Sequence, residues 1–559
     1  MEIPTLQSPQ TPTGSKFIVD RCPFTPGSSI EVSMLEIDES KLYDWPMVYI
    51  LANDEEAYVG QTTSVVRRMS EHGANPEKKA FTTANIIFNE EANMSVITDY
   101  ESRLIQLMHA DGKFTLTNKV GGITDSNYFS KAEYASMFED LWSELQTMDL
   151  VGHTIDELEE SEVFKYSPYK ELNADQKVAL SKILSAINNA SFSKPLVIQG
   201  MPGTGKTILA IYLLKALRDN PDYSHLNIRI LEPVTSLRET LQRSLHGVRN
   251  LSKYDILGPS DLVKQKYTNG IENKPFDILL IDEAHRLKQR KNIVSYGSFD
   301  KTNKILGFDN KATQLDWVLA QAKLPIFFYD PMQVIGPSGI SAEIMKNRLG
   351  VAFENPIKLE SQMRVKGGVE YLKYIEQVLW DRNPFPQQFS DYKLIFHSSF
   401  HDFYDSFEKD LSKHDLTRMI AGYAWKWKTK KDKSPEVFDI EIEGIKIRWN
   451  RKQENWVGLG VEDPKIAHEM GVIHSIQGYD LSYAYVVIGP DLIYDEINKR
   501  VTVSRKDYYD KNGKNTATPQ ELEDYIKHIY YVLLTRGIYG THIYVCDKKL
   551  RTYLSRFFR

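Results

Sequence analysis

Cysteine is almost missing from this chain. Its 559 residues include two, Cys22 and Cys546, far apart in sequence. That excludes a disulfide scaffold and a thiolate zinc site, and it suits a reducing cytoplasm. Long apolar runs are missing as well. Nothing approaches the roughly 18 apolar residues that a membrane span needs, so no span is expected. The start, Met1 to Ser15, is polar and rich in Pro and Thr. It lacks the charged head and apolar core of a secretory signal, and a mobile tail is expected there. Excess positive charge is also lacking, since the net charge is −6. A polyanionic partner would therefore have to meet local basic patches, not a global field.

What remains is ordinary globular material. The hydrophobic share of 42% and the charged share of 26% suffice for several cores, in roughly three to four domains of about 150 residues. From about residue 165 onward apolar runs alternate with helical patterns, which signals a parallel sheet. Residues 228–231, 278–281, 326–329, 485–488 and 542–545 read as strands buried on both faces. Residues 45–122 read as a smaller α/β unit. A strand at 47–51 leads through the acidic turn 53–56 to a second strand at 57–59. A helical stretch through Val65, Val66 and Met69 follows. Residues 131–165 read as an acidic helical connection. Two polar insertions, 288–311 and 503–520, read as surface loops.

One stretch carries chemistry on its face. Gly200-Met201-Pro202-Gly203-Thr204-Gly205-Lys206-Thr207 follows an apolar run and precedes an apolar helical pattern. Strand, glycine loop and helix occur in the order that a phosphate cradle needs. Gly200, Gly203 and Gly205 free backbone N–H groups to face phosphates, and the helix N-terminus adds positive potential. Lys206 is expected to reach the β and γ phosphates of ATP, and Thr207 to hold Mg²⁺. Further on, an apolar strand ends in Asp282 and Glu283. Asp282 is placed to organise Mg²⁺ and Glu283 to polarise the attacking water.

With these motifs in order, residues 165–550 resemble superfamily 1 helicases. More narrowly they resemble the bacterial DUF2075 helicase-like family, related to the ATPase part of Schlafen proteins. Leu172-Asn173-Ala174-Asp175-Gln176 resembles the segment that reads adenine, with Gln176 as its amide clamp. Glu232-Pro233-Val234-Thr235-Ser236-Leu237 resembles the motif on the nucleic-acid backbone. Tyr329-Asp330-Pro331-Met332-Gln333 resembles the γ-phosphate sensor, with Gln333 sensing. Leu359-Glu360-Ser361-Gln362-Met363-Arg364 and Tyr531-Val532-Leu533-Leu534-Thr535-Arg536-Gly537 resemble the arginine motifs. Ile473-His474-Ser475-Ile476-Gln477-Gly478-Tyr479-Asp480 matches H-[ST]-x-Q-G, with Gly478 on the nucleotide side and Asp480 where Glu is common. The resemblance implies that Arg364 and Arg536 meet the γ-phosphate from a second lobe, which makes hydrolysis depend on lobe closure. Tyr423, Trp425 and Trp427 alternate along an expected strand, either as core or as a base-stacking face.

Residues 47–122 resemble a second family, the GIY-YIG nucleases. Met47-Val48-Tyr49 stands where Gly-Ile-Tyr is usual, and Tyr58-Val59-Gly60 where Tyr-Ile-Gly is. Arg68 follows Gly60, His72 comes one helical turn later, Glu101 opens an apolar helix, and Asn118 comes after it. The resemblance implies phosphodiester cleavage, with Glu101 as the lone Mg²⁺ ligand and Arg68 on the scissile phosphate. Tyr49 would position or deprotonate the water, with Tyr58 or His72 assisting; which group takes the proton stays open.

The expected class is α/β: a small GIY-YIG-like α/β domain followed by two RecA-like parallel-sheet lobes. The expected boundaries are a tail or extension (1–44), the nuclease-like domain (45–125), a helical linker (126–165) and the two lobes (166–345 and 346–559). The expected activity is an ATP-dependent motor joined to a Mg²⁺-dependent endonuclease, in bacterial anti-phage defence. An ATP-gated sensor that releases cutting without unwinding is the alternative. Nucleic acid, DNA ahead of RNA, is the expected partner, with no membrane and a cytoplasmic location.

Overall fold

The computed structural model describes residues 17–25, 35–119, 128–159, 161–188, 194–271, 273–450, 456–476 and 479–558. The polar stretch Met1 to Ser15 and the expected nucleotide-side Gly478 lie outside the described residues. Chain contacts divide the molecule into two units. One comprises Met1–Asn173, Ile208–Leu226 and Glu239–Ile256; the other comprises Ala174–Thr207, Asn227–Arg238 and Leu257–Arg559.

The first unit is built on a five-stranded sheet. Its strands are β1 (Ile18–Pro23), β2 (Met47–Ala52), β3 (Glu56–Thr62), β4 (Thr83–Phe88) and β5 (Thr115–Leu116), in the order β1-β4-β2-β3-β5. Neighbours are antiparallel except β3 and β5. Alternation along β2 sends Val48, Ile50 and Ala52 to one core, with Leu104, Leu107 and Trp142. Met47, Tyr49 and Leu51 go to the other core, with Val65, Met69 and Phe81. Both faces are covered, so β2 reads as a continuous apolar run. The helix Val65–Ala74 carries Arg68 and His72. The helix Met94–Asp111 is capped by Asn93, whose side chain accepts from Ser95 N and Val96 N. Glu101 therefore sits mid-helix and does not open it, because the Asn93 cap starts the helix at Met94, seven residues earlier. Strand β1 comes from the stretch expected as tail or extension.

The second unit carries two further sheets. One holds β6 (Leu196–Gly200), β7 (Ile228–Leu231), β8 (Ile256–Leu257), β9 (Phe276–Ile281), β10 (Ala322–Tyr329) and β11 (Ile357–Leu359), in the order β11-β6-β10-β9-β7-β8. The other holds β12 (Lys393–His397), β13 (Arg418–Ala421), β16 (Met470–Val472), β17 (Leu481–Ile488) and β20 (Gly537–Val545), in the order β12-β20-β17-β13-β16. Two antiparallel pairs, β14 (Ile440–Ile442) with β15 (Ile445–Ile447) and β18 (Leu492–Asp495) with β19 (Arg500–Val503), are appended. From β11 through β7 in the first of the two large sheets, and throughout the second, pairing is parallel. The fold class is α/β with two RecA-like parallel-sheet lobes. The five runs read as buried strands fall within β7, β9, β10, β17 and β20.

Three local expectations change. The two polar insertions contain the helices Tyr296–Ile305 and Lys511–Thr516. The stretch carrying Tyr423, Trp425 and Trp427 is not a strand, since β13 ends at Ala421. Its rings pack as partly buried members of a core cluster instead. Among the described residues, no helix is long and apolar enough to cross a membrane.

Candidate functional site

In open parallel sheets, ligand sites gather beyond the C-terminal strand ends. Here β6 runs into the glycine loop, β9 into Asp282, β10 into Asp330 and β11 into the Gln362–Arg364 segment. Gly203 and Gly205 have φ of +82° and +74°, values that strain any side chain. A Cβ on Gly203 would stand 2.1 Å from Gln362 Oε1, and one on Gly205 would stand 2.2 Å from Gln176 Nε2. Gln176 is buried and donates Nε2 to Gly205 O at 3.1 Å. Gln362 Nε2 donates to Pro202 O at 2.5 Å, and Met363 N to Gly203 O at 3.0 Å. The arginine-motif segment after β11 is thus bonded directly to the loop.

Charges crowd around this loop. Lys206, 6% exposed, donates Nζ to Gly200 O at 2.8 Å and to Met201 O at 3.0 Å, and lies 3.7 Å from Asp330 Oδ2. Asp330 Oδ2 also accepts Gln333 Nε2 at 2.8 Å. Asp282 is fully buried beside Thr207. Burial first, and then the charge of Glu283, push its carboxyl up to about 7. Both of its oxygens are buried without a hydrogen-bonding partner of good geometry. An orphaned buried carboxylate next to a threonine hydroxyl fits a hard, oxygen-seeking cation. Glu283 has a left-handed φ of +44°. Burial alone would raise its pKa, but the contact with His285 Nε2, 3.0 Å away, and the permanent charges of Lys206 and Arg286 pull it below the usual carboxylate range; burial lowers His285 as well, so that ring is a neutral partner. Arg364 pairs with Asp480. Arg536 Nη1 donates to Tyr479 O at 3.3 Å. Burial, then the neighbouring Arg364 charge, bring Arg536 down to about 10, and it also feels Glu283. The structure therefore brings Lys206, Thr207, Asp282, Glu283, Gln333, Arg364 and Arg536 into one charged neighbourhood.

A cavity of about 370 Å³ adjoins these groups, with His285 and Gln333 in its wall. Thr235, Arg286, Lys288, Tyr423, His474 and Tyr508 complete much of the lining. The ring of Tyr423 lies 6.0 Å from His474 and stands at 90° to Tyr508. Cationic, hydroxyl and aromatic groups in one concave space suit a nucleotide's phosphate, sugar and base.

The second constellation is in the first unit. Arg68 Nε donates to Tyr49 Oη at 3.1 Å. Tyr49 Oη also lies 2.7 Å from His72 Nε2, with donor and acceptor set by the imidazole tautomer. Burial, and then the Arg68 charge, bring His72 down to about 4, so its ring is neutral. A Cβ on Gly60 would stand 2.3 Å from Tyr49 Oη, so the glycine makes room for this hydroxyl. Tyr49 is fully buried, whereas Tyr58, with its ring centre 6.3 Å away, is partly exposed. Burial pushes Glu101 up to about 7, against opposing pulls from Gln61 and Arg68. Asn118 brackets β3, accepting from Val59 N at 3.1 Å and donating to Val59 O at 2.8 Å. Among the described residues, no group of three or more His, Cys, Asp or Glu could hold a metal ion. A cation here would rest on Glu101 and water, as Mg²⁺ tolerates.

Two neighbours escape a reading by motif. Lys78, 6% exposed, places Nζ 3.1 Å over the Tyr58 ring. Burial, then the charge of Arg249, bring it down to about 7. Its only local signal is a Pro-Glu-Lys turn. Glu232, fully buried, is pushed well up by burial and then by Asp282 and Glu283.

A family model described as Schlafen group 3, DNA/RNA helicase domain, matches residues 193–547. An uncharacterized protein of Saccharomyces cerevisiae is 23% identical over 432 residues, covering 69% of this chain and 90% of that protein. Among solved structures, Pif1 helicase from Candida albicans is 11% identical, covers 68% of this chain and 96% of its own, and gives a TM-score of 0.26. Domain III of the replication initiation protein DnaA of Thermotoga maritima is 16% identical, covers 40% and 77% respectively, and gives a TM-score of 0.21. The constellation around Tyr49 and Glu101 lies outside the matched residues 193–547.

Proposed function

Because this chain belongs, through residues 193–547, to the Schlafen group 3 DNA/RNA helicase domain family, we propose that its glycine-loop centre hydrolyses ATP to act on nucleic acid. We propose further that the constellation in the first unit is a separate endonuclease. The observation that carries the first reading is the meeting of Lys206, Asp282, Glu283, Arg364 and Arg536 around one loop. Lys206 and the helix N-terminus receive the β and γ phosphates, and Gln176 is the remaining nucleotide contact among the described residues. Thr207 and Asp282 hold Mg²⁺, which neutralises phosphate charge when bound. Glu283, kept ionised, orients the attacking water. Arg364 and Arg536 meet the charge that develops on the transferred phosphoryl group, while Gln333, tied to Asp330, senses the γ-phosphate. The cavity beside them receives a nucleotide of the bound strand. Glu283→Gln should lower ATP turnover by at least about 100-fold while ATP binding persists; unchanged turnover would refute the assignment.

In the nuclease reading, Glu101 is the Mg²⁺ ligand and Arg68 binds the scissile phosphate. Tyr49 is too buried to meet water, so with His72 it fixes the Arg68 guanidinium. Tyr58, partly exposed, faces the attacking water. Supporting this reading is the chain of bonds from Arg68 through Tyr49 to His72, on residues at the family's spacing. DNA is the favoured substrate, and a cutting module joined to an ATPase fits bacterial defence against invading DNA. Incubating the protein with plasmid, single-stranded DNA and RNA, with and without ATP and Mg²⁺, tests this. Mg²⁺-dependent cutting that Glu101→Gln abolishes is the expected result. Strand displacement in the same samples separates a motor from an ATP-gated switch.

A further inference from the structure

The chain that forms one wall of the cavity, at Tyr423, continues outward as Trp425-Lys426-Trp427-Lys428-Thr429-Lys430-Lys431-Asp432-Lys433. Residues 426–433 hold five lysines against one aspartate, a local charge of +4 in a chain of net charge −6. All five lysines are exposed. Among the described residues none of their ammonium groups pairs with a carboxylate; Lys430 lies 5.1 Å over the Trp427 ring. Asp432 is occupied locally, accepting from Ser434 N at 3.0 Å.

This segment is held, not loose. Trp425 and Trp427 are partly buried against a core cluster, and the Trp425 ring lies 6.4 Å from Trp449. The alternation turns tryptophans inward and leaves Lys426 and Lys428 outside. Midway, Thr429 is 5% exposed. It donates its N–H to Asp439 Oδ1 at 2.8 Å and its hydroxyl to Asp439 Oδ2 at 2.7 Å. Asp439 Oδ2 also accepts Trp449 N at 2.9 Å. One buried carboxylate thus ties the middle of the loop to the Trp449 backbone, and Arg448 adds a bond from Nη2 to Pro435 O at 2.6 Å, just past the loop. Five unpaired cations on a stapled backbone repel one another without internal relief. Such an arrangement suits an external polyanion, because little ordering cost remains on binding.

We propose that the loop 426–433 is a second nucleic-acid contact, a phosphodiester-backbone clamp for the strand that emerges from the cavity beside Tyr423. It rests on the nucleic-acid reading of that cavity and extends it. Residue 426 is three positions from the cavity wall and residue 433 ten, so at about 3.3 Å per extended residue the loop can reach several successive phosphates. Lysines act as point charges and carry no base code, so the clamp adds affinity and salt dependence but no sequence preference.

The test is fluorescence anisotropy with a labelled single-stranded DNA of about 20 nucleotides, using the full chain. The comparison is with a variant carrying Lys→Gln at 426, 428, 430, 431 and 433, and a milder one changed at 430, 431 and 433. Each lost phosphate contact flattens the slope of log K against log salt by about 0.7. The five-site variant should therefore lose up to about 3.5 in slope between about 50 and 200 mM salt and bind about 10- to 100-fold more weakly. The milder variant should fall between. ATP turnover without nucleic acid should be unchanged, which reports that the variants fold. Slopes and affinities equal to wild type would overturn the clamp while leaving the cavity reading intact. Failure of the wild-type protein to bind any strand would overturn both. RNA of the same sequence should show the same loss in slope; a loss confined to an acidic protein competitor would contradict the assignment.

Discussion

The two charged constellations meet the same chemical problem with different parts. Each holds one carboxylate that desolvation pushes up to about 7, the fully buried Asp282 in the glycine-loop centre and the half-buried Glu101 in the first unit. They differ in what handles water. Beside Asp282 stands a second acid, Glu283, half-buried and held below the usual carboxylate range by the contact with His285 and the charges of Lys206 and Arg286. Around Glu101 the second acid, Glu71, is exposed and taken by Arg68, which donates Nη1 to its Oε2 at 2.9 Å. Tyrosines and a neutral imidazole take that place, arranged by one guanidinium. Dense counter-charge lets a buried acid stay ionised, whereas sparse charge favours groups that carry no charge at all. The number of cations within reach, more than the depth of burial, decides which chemistry is available.

The sharpest way to break this comparison is to thin the dense centre. Arg536→Ala should lower ATP turnover by about 10³- to 10⁵-fold, the range typical of an arginine that meets a transferring phosphoryl group. Steady-state phosphate release measures it; a loss under tenfold would mean that Arg536 supports folding and not chemistry. Next comes the feature that both centres share. A carboxyl near 7 must shed its proton before it holds a cation, so ATP turnover and plasmid cutting at limiting Mg²⁺ should both rise with pH by up to about tenfold per unit below pH 7. Saturating Mg²⁺ should flatten both curves, and a pH-independent cutting rate would remove Glu101 from the site.

The smallest effect lies in stability. His72 is brought down to about 4 from an ordinary 6.5. A basic group whose folded pKa is depressed contributes stability that is present above about 6.5 and lost as pH falls through about 4. Thermal melts of His72→Gln should therefore be flatter than wild type across that window. Glu101 has the opposite sign: raised from 4.5 to about 7, it contributes stability at low pH that is lost as pH rises through 7. Glu101→Gln should raise the melting temperature modestly at pH 8 and leave it nearly unchanged at pH 4.

Much of this was legible in sequence, for physical reasons. The glycine loop must follow a strand and open a helix, so its pattern is local. Arg68 and His72 fall one helical turn apart, and the buried strands of both parallel sheets appear as short apolar runs. Longer-range devices were not legible. Strand β1 is too polar to stand out before it pairs with β4. Glu101 sits in the middle of its helix, seven residues after the Met94 start that the Asn93 cap sets. Burial of Lys78 depends on the fold around Tyr58, which no local pattern encodes. The staple between Thr429 and Asp439 spans ten residues and replaces the strand that the alternating aromatics suggested.

The central claim is that one chain holds two separable phosphate-breaking centres. It is tested most directly by measuring ATP turnover and ATP-free, Mg²⁺-dependent plasmid cutting side by side on Lys206→Ala and Glu101→Gln. The account predicts a double dissociation: Lys206→Ala loses turnover and keeps cutting, and Glu101→Gln loses cutting and keeps turnover. Loss of both activities in either folded variant, or of neither in both, would contradict it.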